Sequence, residues 1–195
     1  TRWYRLAADQ EHPPAQFMLG WMYDKGRGIQ QDESTALECY RLAANQGYAV
    51  AQVILGWHYH TGKGVPQDGV ESVRWYRLAA DQGDAVAQQS LACIYRDGEV
   101  VPQDYASAAH WFRLAAEQGR SDAQYDLACS YRDGNGVPQD GMLAYMWYTL
   151  SASRCSEAEL PDRAKDRDLV AQRITPEQIS EAQRLAQEWR AAHPR

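Results

Sequence analysis

The chain has 195 residues and a net charge of −6, enough length for one domain of ordinary size and a modestly acidic balance. That balance argues against counterion-driven binding to nucleic acid, and no run approaches the roughly 20 apolar residues that a membrane-spanning helix needs. Cys39, Cys93, Cys129 and Cys155 form no Cys-x-x-Cys pair and have no histidines at metal-finger spacing, so they read as small hydrophobes.

The chain opens at Thr1 inside a helix, because residues matching Asp32 to Ala36 would fall before position 1. Upstream repeats or a targeting segment are therefore expected to have been removed. From there two phrases alternate with a period of 36. The first is Trp3-Tyr-Arg-Leu-Ala-Ala8, which returns at Cys39, Trp75 and Trp111 and, worn, at Trp147. The second is Ala15-Gln16-x-x-Leu19-Gly20-x-x-Tyr23-x-x-Gly26, which returns at Ala51, Ala87 and Ala123. Self-similarity at a fixed period of this size signals stacked supersecondary units.

Within one unit the spacing predicts helix A over 32–45, a short turn, helix B over 49–61 and a Gly-rich loop. Asp32, Asp68, Asp104 and Asp140 suit the N-cap of helix A, where a carboxylate accepts from orphan backbone N–H groups. Gly47, Gly83 and Gly119 end helix A, and Gly26, Gly62, Gly98 and Gly134 end helix B. Pro66, Pro102 and Pro138 block continuation. After Ser153 the period fails. Residues 154–195 predict a helix over about 157–173 and a last one from 176, with Thr175, Pro176 and Gln178 forming a capping-box start. The organisation expected is a repeat array over 1–153 and C-terminal capping helices over 154–195.

A helical wheel turns helix A into faces. Ala36, Cys39, Tyr40 and Ala43 share one side, and Leu37 and Leu42 flank it, so the apolar arc exceeds half the circumference. The remaining strip holds Ser34, Glu38, Arg41 and Asn45 and their equivalents. It carries a fixed column, Arg5–Arg41–Arg77–Arg113, and a varied one, Glu38–Arg74–His110–Met146. Each of those arginines precedes an acid or Asn by four residues, as in Arg5/Asp9 and Arg77/Asp81, but such exposed pairs yield only ~0.2–0.5 kcal/mol. Either the stems cover apolar surface, or the guanidinium forks grip a carboxylate or an acidic peptide. Helix B offers a second face, with Phe17, Trp21, Val50, Val53 and Trp57 in the early copies and Cys93 and Cys129 replacing the tryptophans later. Gly20 and Gly56 accompany the tryptophans, so this face is either locally compensated packing or an apolar convex patch confined to the N-terminal half.

The phrases resemble the SEL-one-like repeat (SLR) family, short relatives of the tetratricopeptide repeat, over residues 1 to about 153. The Gly-x-Gly-Val-Pro-Gln-Asp loop and the 36-residue period set it apart from the 34-residue tetratricopeptide unit. Departures are Cys39 for the first tryptophan and Val100 for the second loop glycine, and the disulfide pair of the cysteine-rich members is missing. The tail around Arg173 to Ala186 is similar to the ends of bacterial members, which implies a bacterial protein of the cytoplasm or periplasm. The resemblance implies an all-α, right-handed α/α superhelix, or solenoid, that serves as a protein–protein interaction scaffold with no shared catalytic residues or cofactor. Helix A lines the concave groove in such stacks. The groove residues expected to meet a protein or peptide partner, possibly an acidic one, are therefore Glu38, Arg41, Arg74, Arg77, His110, Arg113 and Met146.

Two rivals remain. One is a homotypic assembly module using the uncapped N-terminal end around Trp3 and Leu6 and the Phe17, Trp21, Val53 and Trp57 patch. The other is an enzyme built on the stack. For that, Asp133-Gly-Asn-Gly136 lacks the spaced ligands of a calcium loop, Gly62-Lys-Gly lacks a phosphate loop's context, and His58 and His60 point to different sides of a helix.

Overall fold

A computed structural model describes residues 2–8 and 10–194, so the expected opening at Thr1 and the Arg5/Asp9 pair lie outside the described residues. Eleven α-helices and no strand occur among the described residues. They are α1 (Arg2–Ala8), α2 (Pro13–Lys25), α3 (Glu33–Asn45), α4 (Ala49–Thr61), α5 (Gly69–Asp81), α6 (Ala85–Asp97), α7 (Tyr105–Glu117), α8 (Ser121–Asp133), α9 (Gly141–Ala152), α10 (Leu160–Ala171) and α11 (Pro176–Ala192). The expected stops and starts are in place. Asp32, Asp68, Asp104 and Asp140 accept from backbone N–H groups of the first turns of α3, α5, α7 and α9. Thr175 and Gln178 form the reciprocal capping box of α11.

The chain divides into two compact units, Thr1–Leu91 with Glu99–Val101, and Ala92–Gly98 with Pro102–Arg195. In the first, Ala36, Leu37, Tyr40, Ala43 and Ala44 of α3 pack with Ala51 and Leu55 of α4, Val65 and Trp75. Helix B packs most closely on the helix A that follows it, α2 on α3 and α4 on α5. The reason is steric. A Cβ on Gly20 would stand 2.9 Å from the Tyr40 ring, and one on Gly56 2.9 Å from the Tyr76 ring. Bare backbone there lets an aromatic face lie flat against the helix.

A buried glutamine recurs in helix B and ties it back to helix A. Gln52 Nε2 donates to the Ala44 carbonyl at 3.1 Å and Gln88 Nε2 to the Ala80 carbonyl at 3.2 Å, a second donor for carbonyls that already accept from the Gly47 and Gly83 N–H groups at the ends of α3 and α5. Gln46 and Gln82 donate at 2.7 Å to the Oε1 atoms of Gln16 and Gln52, so these side chains link one layer to the next.

The second unit repeats this plan and adds its tail. Phe112, Leu127, Tyr148 and Leu150 are fully buried, and α10 and α11 both pack on α9. The helix expected over 157–173 is shorter, Leu160–Ala171. Its start lacks a side-chain cap, whereas Pro161 sits at the first helical positions, where a missing N–H costs nothing.

Candidate functional site: two helix faces

The exposed face of helix A is built from the spacing that the wheel predicts. Glu38, Arg41, Arg74, Arg77, His110 and Arg113 are all exposed. Two expectations need correction. Leu42 borders the buried arc but is not covered with it; Leu42 and its equivalent Leu78 are 53% and 41% exposed and share the face of Glu38 and Arg74. Met146, expected in the groove, is buried.

The cause of that second correction is α11. Tyr145 and Trp147 lie on either side of Met146 around α9, and both meet α11: Gln183 Nε2 donates to the Tyr145 hydroxyl at 3.3 Å, and the Trp147 and Trp189 rings stand 6.2 Å apart. Met146 and Leu150 lie between those flanks, in one cluster with Ala182 and Ala186 of α11. Small residues on α11 let the two helices approach closely. The face that α3 and α5 leave open, α9 keeps covered.

The arginine column has a partner that i,i+4 reasoning misses. Arg41 donates to the Tyr59 hydroxyl at 3.2 Å, Arg5 to Tyr23 at 3.3 Å and Arg113 to Tyr131 at 2.9 Å, each 18 residues on. The guanidinium thus bridges helix A to the helix B of its own hairpin. An exposed neutral acceptor makes each bond worth about 0.5–1.5 kcal/mol. Arg74 instead pairs with Glu71 at 2.9 Å and lies 4.8 Å over the Trp75 ring. His110 stands edge-on to Trp111 at 5.2 Å.

The second face belongs to helix B of the first unit. Phe17, Trp21, Val53 and Trp57 come together in one cavity of about 430 Å³, within the range of small-ligand pockets. Sequence reasoning missed its floor, which is Tyr40, Tyr76 and His58. The glycines opposite the two tyrosines were the available signal. Lys63 Nζ stands 5.4 Å over the Trp57 ring and the Arg27 guanidinium 5.0 Å over Trp21. Asp24 is neutralised by Lys25 at 2.8 Å. His58 is buried, with Nδ1 2.7 Å from the Lys63 carbonyl.

The equivalent face of the second unit is crossed by polar contacts and keeps a smaller cavity of about 280 Å³ beside Phe112, Asp126, Cys129 and Ser130. Tyr125 hydrogen-bonds Asp166 of α10, Cys129 Sγ lies 3.2 Å from the Tyr148 hydroxyl, and Arg132 donates to that hydroxyl at 2.9 Å. All four cysteines are free thiols. Burial pushes Cys93 up to about 11 and raises Cys39 and Cys129, so these three stay protonated and unreactive at neutral pH.

Asp126 in this network is raised to about 6. Burial is the main cause, with repulsion from Asp122 and Asp97 added; the Arg96 ion pair at 2.8 Å opposes it without winning. That guanidinium is part-solvated and shared with Asp97 at 2.8 Å. A folded value above the unfolded one of 3.8 means a contribution that is full below about pH 4 and lost as the pH rises through about 6. Asp126→Asn should therefore change little at pH 4 and gain roughly 1–3 kcal/mol relative to the parent at pH 7.5. A carboxyl-carbon NMR titration should place the Asp126 midpoint near 6; a midpoint at or below 4 refutes the assignment.

An all-α array of paired helices, with two solvent-facing helix surfaces and close interhelical packing, defines a helical-repeat protein. The Sel1 repeat model matches residues 2–12, 13–48, 49–84, 85–119 and 121–154, most of the chain. The chain belongs to the Sel1 repeat family. Four of the five matches, those from 13, 49, 85 and 121, begin at helix B, in keeping with the tight packing of α2 on α3 and α4 on α5. Among solved structures it is similar to c5321, a protective antigen present in uropathogenic Escherichia coli strains and displaying an SLR fold, with 39% identity and a TM-score of 0.77. That match covers 80% of this chain and 33% of the antigen. It is also similar to a Sel1 repeat protein from Oxalobacter formigenes, with 37% identity and a TM-score of 0.72, over 75% of this chain and 60% of the other. The chain thus spans about a third and three-fifths of these two relatives. No curated protein matches it significantly. Sel1 repeats are tetratricopeptide-like helical repeats that generally serve as non-catalytic protein-interaction scaffolds. No described helix is long and apolar enough to cross a membrane.

Proposed function

We propose that this chain is a non-enzymatic scaffold that takes an amphipathic helix of a partner protein on the open strip of α3 and α5. The single observation that carries this reading is the contrast with α9. There the same face is covered by a helix of this chain, while Leu42, Val70 and Leu78 stay in water. Apolar side chains at successive equivalent positions form the kind of surface that partner proteins cover. Arg41, Arg74 and Arg77 flank them against Glu38, Glu71 and Asp81, three cations against three acids, which favours a partner helix with flanks of mixed charge.

The test uses Leu42→Glu together with Leu78→Glu. Both positions are solvated, so the unfolding free energy should stay within the range of ordinary surface changes, about 0.5 kcal/mol. Proteins that the parent chain captures from its source cells should be lost by the double variant, and the purified partner's affinity should fall at least tenfold. Undiminished affinity removes the strip as the site. Arg41→Ala separates the two roles of that residue: it should cost about 0.5–1.5 kcal/mol through Tyr59 alone.

A further inference from the structure

We infer that the helix-B cavity of the first unit is a second, separate binding site, and that it takes a short peptide segment presenting a large apolar side chain beside a carboxylate. This goes beyond the helix-A strip and does not depend on it. The walls come from three successive B helices: Phe17 and Trp21 on α2, Val53 and Trp57 on α4, Val86 and Ser90 on α6. Two tyrosine rings form the floor, held there because Gly20 and Gly56 admit them. Trp57 and Val86 remain 41% and 43% exposed, so apolar surface at the mouth is in water. An entering aromatic or branched side chain removes that surface from water, which favours binding.

The charge at the rim selects among apolar peptides. Asp24 is matched by Lys25, which leaves Lys63 at the mouth and Arg27 over Trp21 beside it. The protein as a whole carries −6, so an acidic segment is repelled by most of the surface and attracted at this rim. Each cation also sits on a tryptophan face, so a carboxylate reaching Lys63 or Arg27 lies directly over the aromatic wall.

The second unit supplies an internal precedent. Tyr125 occupies the place of Val53, and there α10 covers the face and sets the Asp166 carboxylate on the ring's hydroxyl while the Arg163 guanidinium lies 5.5 Å over the ring. A helix-B face covered by a segment that brings an acid is therefore a solution this chain already uses. In the first unit the described residues supply no such cover.

A random peptide library displayed on phage, selected on the parent chain and counter-selected on Trp57→Ala, tests the inference. Trp57 is near the surface, so its loss leaves the fold standing. The expected winners pair Phe, Trp or Leu with Asp or Glu, and lose at least tenfold in affinity for Trp57→Ala. Lys63→Glu, an exposed change, should weaken them three- to tenfold and enrich basic peptides in a repeat selection. Overturning results are three: no enrichment that depends on Trp57, winners that are basic or lack an apolar anchor, or a parent dimer in sedimentation that Trp57→Ala dissociates, which would give the cavity to a second copy of the chain.

Discussion

Gly136→Ala should destabilise the second unit by about 3–5 kcal/mol, enough to lower its melting temperature by roughly 10 °C or more. Two costs add. The backbone at Gly136 has φ +74°, a conformation that costs a side-chain-bearing residue about 1 kcal/mol or more. The added Cβ would also stand 1.9 Å from the Tyr105 carbonyl oxygen and 2.7 Å from the Ala106 nitrogen, at the start of α7. Both atoms are backbone, so neither can swing aside without moving the helix. Gly64→Ala is the internal control. Its φ is +68°, but the new methyl would meet the ends of the Leu37 and Glu33 side chains, which can turn away. About 1 kcal/mol is expected there. Urea denaturation of the two variants compares them directly, and equal losses would show that the close approach decides nothing.

The third copy of this loop has already made the exchange. Val100 stands where Gly64 and Gly136 stand, and the residue facing it, Gly69, has no side chain: a Cβ there would come within 2.4 Å of the Val100 Cβ. Bulk on the loop is matched by its absence at the first residue of helix A 31 positions earlier. Among the described residues Glu11 is the only non-glycine with positive φ, so position 100 leaves the left-handed region, while Gly98 of the same loop keeps it at φ +68°. The departure from the repeat phrase is thus half of a compensated pair, and Gly69→Ala should be costly for the same steric reason.

What could be read from the chain follows from how local the physics is. N-caps, helix stops and the A–B alternation depend on residues within a few positions, and these came through with their boundaries. Tyr59 and Arg41 both recur in the repeat phrase, but their contact spans 18 residues across a hairpin and no periodicity within one helix predicts it. Leu42 failed for a different reason. A wheel gives the width of an apolar arc, not how much of it a neighbour covers, and in α3 the cover stops short of that leucine. Met146 lies inside because a helix beginning 30 residues later, outside the repeat, lies against it. The cavity was half legible. Its tryptophans, Phe17 and Val53 stand out in the sequence as apolar residues with no obvious partner, whereas the placing of the Tyr40 and Tyr76 rings depends on contacts with Gly20 and Gly56 across helices.

Arg163→Met should cost the second unit about 2–3 kcal/mol, a large loss for a polar side chain of the tail. The guanidinium is 6% exposed and spends its donors on four acceptors. It donates to the Ser121 carbonyl at 2.8 Å, to the Ser151 hydroxyl, and to Asp122 at 2.6 Å, with Glu159 at 3.2 Å. One side chain of α10 therefore holds the start of α8 and the end of α9 together. Desolvating a charge of this kind is expensive, and replacing a whole buried ion pair by apolar residues can be neutral. Here the replacement is one-sided. Asp122 and Glu159 are each 47% exposed and can rehydrate, which keeps the loss below the roughly 3–5 kcal/mol of a fully buried pair. Ser151 retains its own 2.8 Å bond to the Ser121 carbonyl, which limits the loss further. Arg163→Lys should recover less than half of the difference, because an ammonium cannot reach four acceptors that a planar fork serves at once. Loosening α10 would also free Tyr125 from Asp166, so limited proteolysis within residues 154–175 should speed up in Arg163→Met before global unfolding does. Denaturation within 0.5 kcal/mol of the parent, or a lysine variant indistinguishable from arginine, would remove this guanidinium as the tie between the tail and the last repeat.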